Sequence, residues 1–239
     1  MESKLFTPVT FGPLTLRNRT IRSAAFESMC PGNAPSDMLL DYHRSVAAGG
    51  IGMTTVAYAA VTQSGLSFDR QLWMRPEIIP GLRKLTNAIH AEGAAAGIQL
   101  GHCGNMSHKS ICGCTPVGAS SGFNLYSPTF VRGLRAGELP EMARAYGKAV
   151  NLAREAGFDA VEIHAGHGYL ISQFLSPSTN HRKDEFGGSD DLTARREIRR
   201  GQGQRELAVR VTDVVYGRLT DRSAAPRYRA VIFSNSLRM

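Results

Sequence analysis

Apolar and polar positions along this chain alternate in blocks that predict short buried strands separated by amphipathic helices. Three short apolar runs, Met53–Ala57, Ala95–Leu100 and Ala160–Ile163, are typical of strands buried in a parallel sheet. Between them, Ile78–Glu92 and Pro140–Ala156 carry apolar residues at helical spacing, and a proline stands at or just before the first turn of each. This alternation favours an α/β fold built on a parallel sheet.

The segments around these elements give weaker signals. Thr20–Ala25 predicts a first short strand, and Leu39–Ala48 predicts a helix that is closed by two glycines. The stretch Gly101–Gly137 is dense in Gly, Ser, Cys and Pro, and it predicts a loop longer than ordinary connections. Such loops are usually functional or mobile. Counted along the whole chain, four strand–helix units are complete by about residue 190.

Composition restricts the class of protein. The 239 residues are enough for one domain with a sizeable core, and contents of 42% hydrophobic and 20% charged residues are typical of a soluble globular protein. No apolar run reaches about 18 residues, and Met1–Arg22 has no signal-peptide core, so a cytoplasmic protein without membrane contact is expected. The four cysteines are then expected to be reduced thiols.

The positive charge is concentrated at the C-terminal end of the sequence. Residues 190–239 hold eleven arginines, no lysine and six acidic residues, or about +5 of the net +8. The block has few aromatic residues and no nucleic-acid-binding motif, so we do not expect a nucleic-acid partner. Asp191–Arg200 predicts a helix and Glu206–Thr212 a fifth strand, but no further strand–helix pattern follows. We therefore divide the chain into 1–189 and an atypical Arg-rich segment, 190–239, which we expect to be otherwise poorly ordered and which resembles a frameshifted or prematurely ended reading frame.

The highest concentration of potentially reactive side chains follows the strand Ala160–Ile163. His164, His167 and Tyr169 stand where that strand leaves the sheet, which is where α/β barrels place their reactive groups. Two imidazoles and a phenol supply hydrogen-bond donors and one proton donor, but no obvious nucleophile. The arrangement suits polarising and protonating a substrate whose electrons come from elsewhere. A structural role or a metal site is the alternative for the histidine pair, although it lacks the helical i,i+4 spacing of metalloproteases.

The motif EIHAGHGYLISQFLSPSTNHRKDEFGGS, together with KLFTPVTFGPLTLRNR and GIQLGHCG, resembles the old yellow enzyme family of FMN-dependent ene-reductases. The resemblance includes the NADH:flavin oxidoreductase and dienoyl-CoA reductase relatives and covers about the first 189 residues. It implies a (β/α)₈ TIM barrel, of which this chain carries the N-terminal half to two-thirds. It also implies a flavoprotein that takes hydride from NADH or NADPH and reduces the C=C bond of a small enone or enoate.

The resemblance assigns roles to individual positions. His164 and His167 match the pair that binds the substrate carbonyl, and Tyr169 matches the proton donor, with packing on the barrel rim as its alternative. Gln99 matches a residue at the flavin's pyrimidine edge, with capping of a strand end as its alternative. The remaining flavin-lining positions are Ser23, Ala24, Ala25, Tyr58 and, on the weakest match, Arg210 in LAVRVT.

Three positions depart from the family pattern. Phe26 stands where Thr or Cys tunes the flavin, Tyr58 stands where a small residue is usual and is expected to crowd the ring, and Asn105 replaces an arginine. A zinc site is the alternative use of the cysteines at 103, 112 and 114 with the histidines at 102 and 108. Their spacing fits no ordinary zinc pattern, so no metal is expected.

Two functional hypotheses follow. The first is an FMN-dependent NAD(P)H oxidoreductase acting on activated C=C bonds. The family's phosphate site lies on loops after strands seven and eight, which are not recognisable here, so we expect weakened FMN binding unless a partner chain completes the site. An open half-barrel would also leave strand edges unpaired and favour homo-oligomers. The second hypothesis is therefore a non-catalytic barrel fragment that acts only through association with other chains.

Overall fold

The computed structural model describes residues 3–11 and 14–187, together with the backbone of Val215–Arg218 and Ala230–Ile232. The helices are α1 (Asp37–Ala48), α2 (Ile79–Ala91), α3 (Lys109–Cys112), α4 (Leu139–Glu155) and α5 (Leu170–Leu175). The strands are β1 (Val9–Phe11), β2 (Leu14–Leu16), β3 (Ile21–Arg22), β4 (Met53–Ala60), β5 (Ala95–Gly101), β6 (Val117–Gly118), β7 (Gly122–Asn124), β8 (Thr129–Gly133), β9 (Ala160–Ile163), β10 (Val215–Arg218) and β11 (Ala230–Ile232).

The centre of the fold is a parallel sheet in which β3, β4, β5 and β9 lie side by side in that order. The predicted strand Ala160–Ile163 is confirmed with the same ends, and β4 and β5 each extend beyond the predicted run. The two long helices are also confirmed, although a 3₁₀ turn at Pro76–Ile78 precedes α2. The predicted α/β class with a parallel sheet is correct.

The three long helices cover one face of this sheet. Leu82 and Ile89 of α2 and Ala153 of α4 pack in one cluster with Ile98 of β5 and Val161 of β9, and all five are buried. Because side chains alternate along a strand, Gly97, Gln99 and Gly101 of β5 face the opposite side. That opposite face is the one that carries polar residues.

The antiparallel pair β1–β2 lies at the amino-terminal end of the chain, and Arg17 directly after it anchors the hairpin to two helices. Its guanidinium donates three hydrogen bonds to backbone carbonyls at or just beyond the carboxyl ends of α1 and α2. The acceptors are the carbonyls of Ala47 at 2.5 Å, Ile51 at 2.9 Å and Glu92 at 2.7 Å. A cation at the carboxyl end of a helix satisfies otherwise unpaired carbonyls and opposes the helix dipole.

Two predicted boundaries were wrong. The expected loop Gly101–Gly137 contains α3 and a small three-stranded sheet in which β8 lies between β6 and β7. These strands have two to five residues, too few to produce a recognisable alternation. The predicted strand Thr20–Ala25 is only two residues long, because β3 ends at Arg22 and the chain then turns away from the sheet.

The sheet continues beyond β9 on its far side. The backbone of β10 pairs with β9 in antiparallel orientation, and β11 pairs with β10. The edge of β9 is therefore paired, and β3 and β11 are the outer strands of the six that are described in this sheet. The predicted helix Asp191–Arg200 and strand Glu206–Thr212, which includes Arg210, lie outside the described residues. Among the residues that are described, no helix has the length and apolarity needed to cross a membrane.

His102, directly after β5, is fully buried and held in one tautomer. Its Nδ1 accepts a hydrogen bond from the Gly104 N–H at 3.0 Å, and its Nε2 lies 3.1 Å from the Ser64 hydroxyl. Because Nδ1 is an acceptor, the neutral ring carries its proton on Nε2 and donates it to Ser64. Burial lowers the pKa of His102 to about 4. His102 is thus a structural link between the loops that follow β4 and β5.

The Arg17 contacts predict a large loss of stability when the guanidinium is removed. Arg17→Met leaves three carbonyls without their donor, so the free energy of unfolding should fall by about 2–4 kcal/mol. Urea unfolding measures this change. The control is Arg44→Met, since the Arg44 side chain is 53% exposed and forms its ion pair with Asp41 on the same helix; its effect should stay within about 0.5 kcal/mol. Equal effects of the two changes would contradict the anchoring role.

The buried His102 predicts a specific sensitivity to acid. Its folded-state pKa lies below the unfolded value of about 6.5, so on acidification the unfolded chain takes up the proton first. The His102 contribution is constant above pH ~6.5, and stability falls by about 1.4 kcal/mol per pH unit as the pH drops towards the folded pKa. Urea unfolding at two pH values should show this loss in the unchanged chain and not in His102→Gln. The exposed His181, changed to Gln, should leave the acid loss intact; a loss that persists in His102→Gln would contradict the assignment.

Candidate active site

The carboxyl ends of β4, β5 and β9 bring five of the predicted site residues together. His164, His167 and Tyr169 follow β9, Gln99 lies near the end of β5, and Tyr58 lies in β4. The ring centroids of Tyr58, His164 and Tyr169 are 5.0–6.0 Å from one another. The grouping follows from the parallel sheet, because the carboxyl ends of neighbouring parallel strands meet at the same edge.

The two histidines contact each other directly. Nε2 of His164 and Nδ1 of His167 are 3.1 Å apart, so an N–H of one ring donates to the nitrogen of the other. His164 is buried, whereas His167 is exposed on a tight turn in which His167 and Gly168 both adopt left-handed backbone angles, with φ of 55° and 68°. A carbonyl oxygen that binds to both imidazoles would replace their mutual hydrogen bond.

Tyr169 lies beside this pair with its hydroxyl protonated. Its ring meets the edge of His164 at a centroid distance of 5.0 Å, and its Oη donates a long hydrogen bond of 3.4 Å to the Ser67 hydroxyl. Burial raises the pKa of Tyr169 above its ordinary value near 10, and the contact with Ser67 opposes the shift. The phenol therefore keeps its proton at neutral pH and can act as an acid.

Gln99 is oriented by a buried carboxylate. Gln99 and Glu162 are direct partners in the β5–β9 register, and the Gln99 amide Nε2 donates to Glu162 Oε1 at 2.5 Å. Glu162 is only 2% exposed. The hydrogen bond fixes which end of the amide is the donor and which way the group faces. No role was predicted for Glu162, although its place two residues before His164 on an alternating strand puts both on the same face.

Tyr58 packs against the other site residues as a buried ring. Its hydroxyl donates to the Gly65 carbonyl at 2.7 Å, and burial raises its pKa well above 10. The ring fills the space beside Gly101, where a Cβ would lie 2.9 Å from it. Tyr58 thus supports Tyr169 and His164 from β4, and its expected crowding of the flavin stays a prediction.

Ser23, Ala24 and Ala25 follow β3 as an irregular segment held by buried charges. Arg22 donates to the Ala25 carbonyl at 3.3 Å and forms an ion pair with Glu27 at 2.9 Å. Glu27 in turn accepts a hydrogen bond from the Ala57 N–H in β4 at 3.2 Å. The segment is therefore tied to β4 at both ends. Sequence patterns did not reveal this network, because its members are joined only by the fold.

Phe26 at the end of that segment is partly exposed. Its ring stacks on Phe68 with centroids 4.8 Å apart and an interplanar angle of 25°. Phe68 follows Ser67, the residue that accepts the Tyr169 hydrogen bond. The stacked rings therefore lie one residue along the chain from the partner of the Tyr169 hydroxyl.

Gln173 of α5 joins the loops around the site, and sequence analysis gave it no role. Its Nε2 donates to the carbonyls of Gly168 at 2.6 Å and Cys103 at 3.2 Å, and to Asn105 Oδ1 at 2.9 Å. It is 1% exposed. Gly104 allows this approach, since a Cβ there would meet the Gln173 amide. Asn105, one of the predicted departures from the family pattern, therefore helps Gln173 to hold together the loops that follow β5 and β9.

Metal ligation finds no support in the described side chains. Within 3–11 and 14–187, no three His, Cys, Asp or Glu side chains are grouped so that they could hold a metal ion. His102 and His108 make hydrogen bonds to serines instead. Arg210, the last predicted site residue, lies outside the described part of the chain.

Comparison with known proteins identifies relatives of the chain. It is 42% identical over 185 residues to the 4,4'-dithiodibutanoate disulfide reductase of Rhodococcus erythropolis, covering 77% of this chain and 46% of that protein. It is 36% identical over 231 residues to an NADPH dehydrogenase of Listeria monocytogenes serotype 4b (strain CLIP80459), covering 91% of this chain and 66% of the relative. The chain thus spans about half to two thirds of the length of these relatives.

A solved structure gives the architecture. The old yellow enzyme homologue from Zymomonas mobilis matches with a TM-score of 0.75 and 29% identity, over 82% of this chain and 57% of that one. The predicted TIM-barrel type is therefore confirmed, with the chain covering part of the barrel. The profile of NADH:flavin oxidoreductases matches residues 4–198, which is most of the sequence. The chain belongs to the NADH:flavin oxidoreductase / NADH oxidase family.

Proposed function

We propose that the protein is an FMN-dependent oxidoreductase that uses NADH or NADPH to reduce the C=C bond of small α,β-unsaturated carbonyl compounds. The observation that carries the proposal is the grouping of a hydrogen-bonded histidine pair with a protonated phenol at the carboxyl end of β9. The family and its NADPH dehydrogenase members support it. The comparisons lend no support to the alternative of a non-catalytic chain.

The residues on the inner face of β5 fit the flavin ring. Gln99 presents an oriented amide on this face, and the Tyr58 ring occupies the space beside Gly101, two residues further along the strand. An amide offers both a donor and an acceptor, as the pyrimidine edge of the ring requires. Ser23, Ala24 and Ala25, together with Tyr58 and Gln99, would hold the ring. When bound, FMN would pass hydride from NAD(P)H to the substrate.

Arg210 joins this set only through the resemblance of LAVRVT to the family's fifth strand, where a cation would hold the flavin. It lies outside the described residues and beyond the family match, which ends at residue 198.

His164 and His167 would bind the substrate carbonyl oxygen. Hydride addition to the β-carbon moves negative charge onto that oxygen, so donors fixed in place stabilise the transition state more than the ground state. The oxygen would take the place of the bond that the two imidazoles now make with each other. Their arrangement needs no metal ion to polarise the carbonyl.

Tyr169 would deliver the proton from its Oη to the α-carbon. Its raised pKa keeps the phenol protonated, and the long contact with Ser67 leaves the hydroxyl only weakly engaged. The exposed Phe26–Phe68 stack would bind the apolar part of a conjugated substrate. We also propose that the protein is cytoplasmic and that copies of the chain associate with each other.

Retention of flavin tests the proposal directly. The purified chain, incubated with excess FMN and then desalted, should keep the visible absorbance bands of flavin. These bands should bleach on addition of NADH or NADPH and return on addition of an enone. A colourless protein after desalting would contradict the proposal for this chain. Riboflavin, which lacks the phosphate, is the matched ligand and separates binding of the ring from binding of the phosphate.

Removing the phenol hydroxyl should slow protonation without releasing the cofactor. Tyr169→Phe should lower kcat/KM for an enone by about 10²–10⁴-fold, the range expected for a general acid. FMN retention and the rate of flavin reduction by NAD(P)H should not change. Tyr126→Phe is the matched control, because that tyrosine is 90% exposed. An unchanged kcat/KM in Tyr169→Phe would exclude this residue as the acid.

A further inference from the structure

Two cysteines outside the proposed active site stand in contact. Cys112 ends α3, Gly113 follows, and Cys114 begins the segment that leads to β6. The two Sγ atoms are 3.6 Å apart, which is van der Waals contact. The proposed reaction uses neither thiol.

The backbone between these cysteines suits a covalent link. Fully extended, two residues span about 6.6–7.2 Å, near the upper limit of Cα separation for a disulfide. Gly113 instead adopts a left-handed conformation with φ of 71°, which bends the chain and brings its two neighbours closer. The sulfurs then have to approach from 3.6 Å to the S–S bond length of about 2.05 Å.

The two thiols differ in access to solvent. Cys114 is exposed, whereas Cys112 is 1% exposed and donates a hydrogen bond to the Cys114 carbonyl at 3.2 Å. An incoming reagent therefore reaches Cys114 first, and Cys112 lies behind it as the resolving thiol. The remaining cysteines, Cys30 and Cys103, are both buried, and burial raises the pKa of each to about 12. These two serve as unreactive internal references.

The surroundings of Cys114 set the speed of its reaction. Partial burial, together with the Cys112 contact, raises the pKa of the Cys114 thiol to about 11, and the nearby Arg132 opposes the shift. Arg132 itself is held by Glu138 through two hydrogen bonds of 2.7 and 2.9 Å. Since the thiolate is the nucleophile, exchange is slow at neutral pH and faster in mild alkali.

We propose that Cys112 and Cys114 form a redox-active dithiol that reduces small organic disulfides and closes into a disulfide within its own loop. The Cys114 thiolate attacks one sulfur of the organic disulfide, forms a mixed disulfide and releases the first thiol. Cys112 then attacks the Cys114 sulfur and releases the second thiol. Two protein thiols are oxidised, one organic disulfide is reduced, and the two S–H protons of the protein pass to the two thiols released.

Intact mass and thiol counting on the full chain test this proposal. After incubation of the reduced protein with oxidised glutathione, the mass should fall by two hydrogens, and two of the four thiols should be lost. Peptide mapping should locate the link between Cys112 and Cys114. Retention of all four thiols would overturn the proposal, as would a stable glutathionyl group on the unchanged chain or a link to another cysteine.

Single changes separate the two roles without involving the flavin. Cys112→Ala should keep a glutathionyl group on Cys114 after incubation with oxidised glutathione. Cys114→Ser should form no adduct with this reagent. Cys30→Ser is the matched control and should lose the same two thiols as the unchanged chain. Far-UV circular dichroism verifies folding of each variant, and the measurement on the unchanged chain stands even where a variant fails to fold.

Discussion

The parallel pairing of β5 with β9 is the constraint on which the site depends. Its register sets Gln99 opposite Glu162, so the amide and the carboxylate form their hydrogen bond across the two strands. Alternation along the strands then places Ile98 and Val161 against the helices. A shift of one residue would exchange the two faces, bury the polar pair among the helices and move His164 away from Tyr58.

The apolar runs of the central strands and the helical spacing of the long helices were sufficient to predict these elements, because burial of their residues leaves a clear pattern. The prediction failed where strands lie in segments rich in polar residues and glycine. The small sheet after β5 contains strands of two to five residues, and a run of Gly, Ser and Pro hides them. The role of Arg17 could not be predicted from the sequence either, since its acceptors are backbone carbonyls contributed by the ends of two helices.

Some residues of the candidate site could likewise be predicted from the sequence, and others could not. The spacing of His164, His167 and Tyr169 behind one strand was enough to predict that they share an edge of the sheet, and the structure brings them together. The residues that hold them in place were not predicted. Ser67 and Gln173 act through contacts between segments distant in sequence, and their residue types are common in loops. A motif identifies the groups that touch a substrate more readily than the groups that orient them.

The contact between His164 and His167 bears on how such a site favours a transition state. Nε2 of His164 and Nδ1 of His167 are 3.1 Å apart and share one hydrogen bond. In the proposed reaction a neutral carbonyl would gain little, because it has to displace the hydrogen bond that the two rings make with each other. As negative charge develops on the oxygen, the hydrogen bonds from the two imidazoles would become stronger. The site would therefore lower the barrier of the reaction more than it would raise the affinity for the substrate.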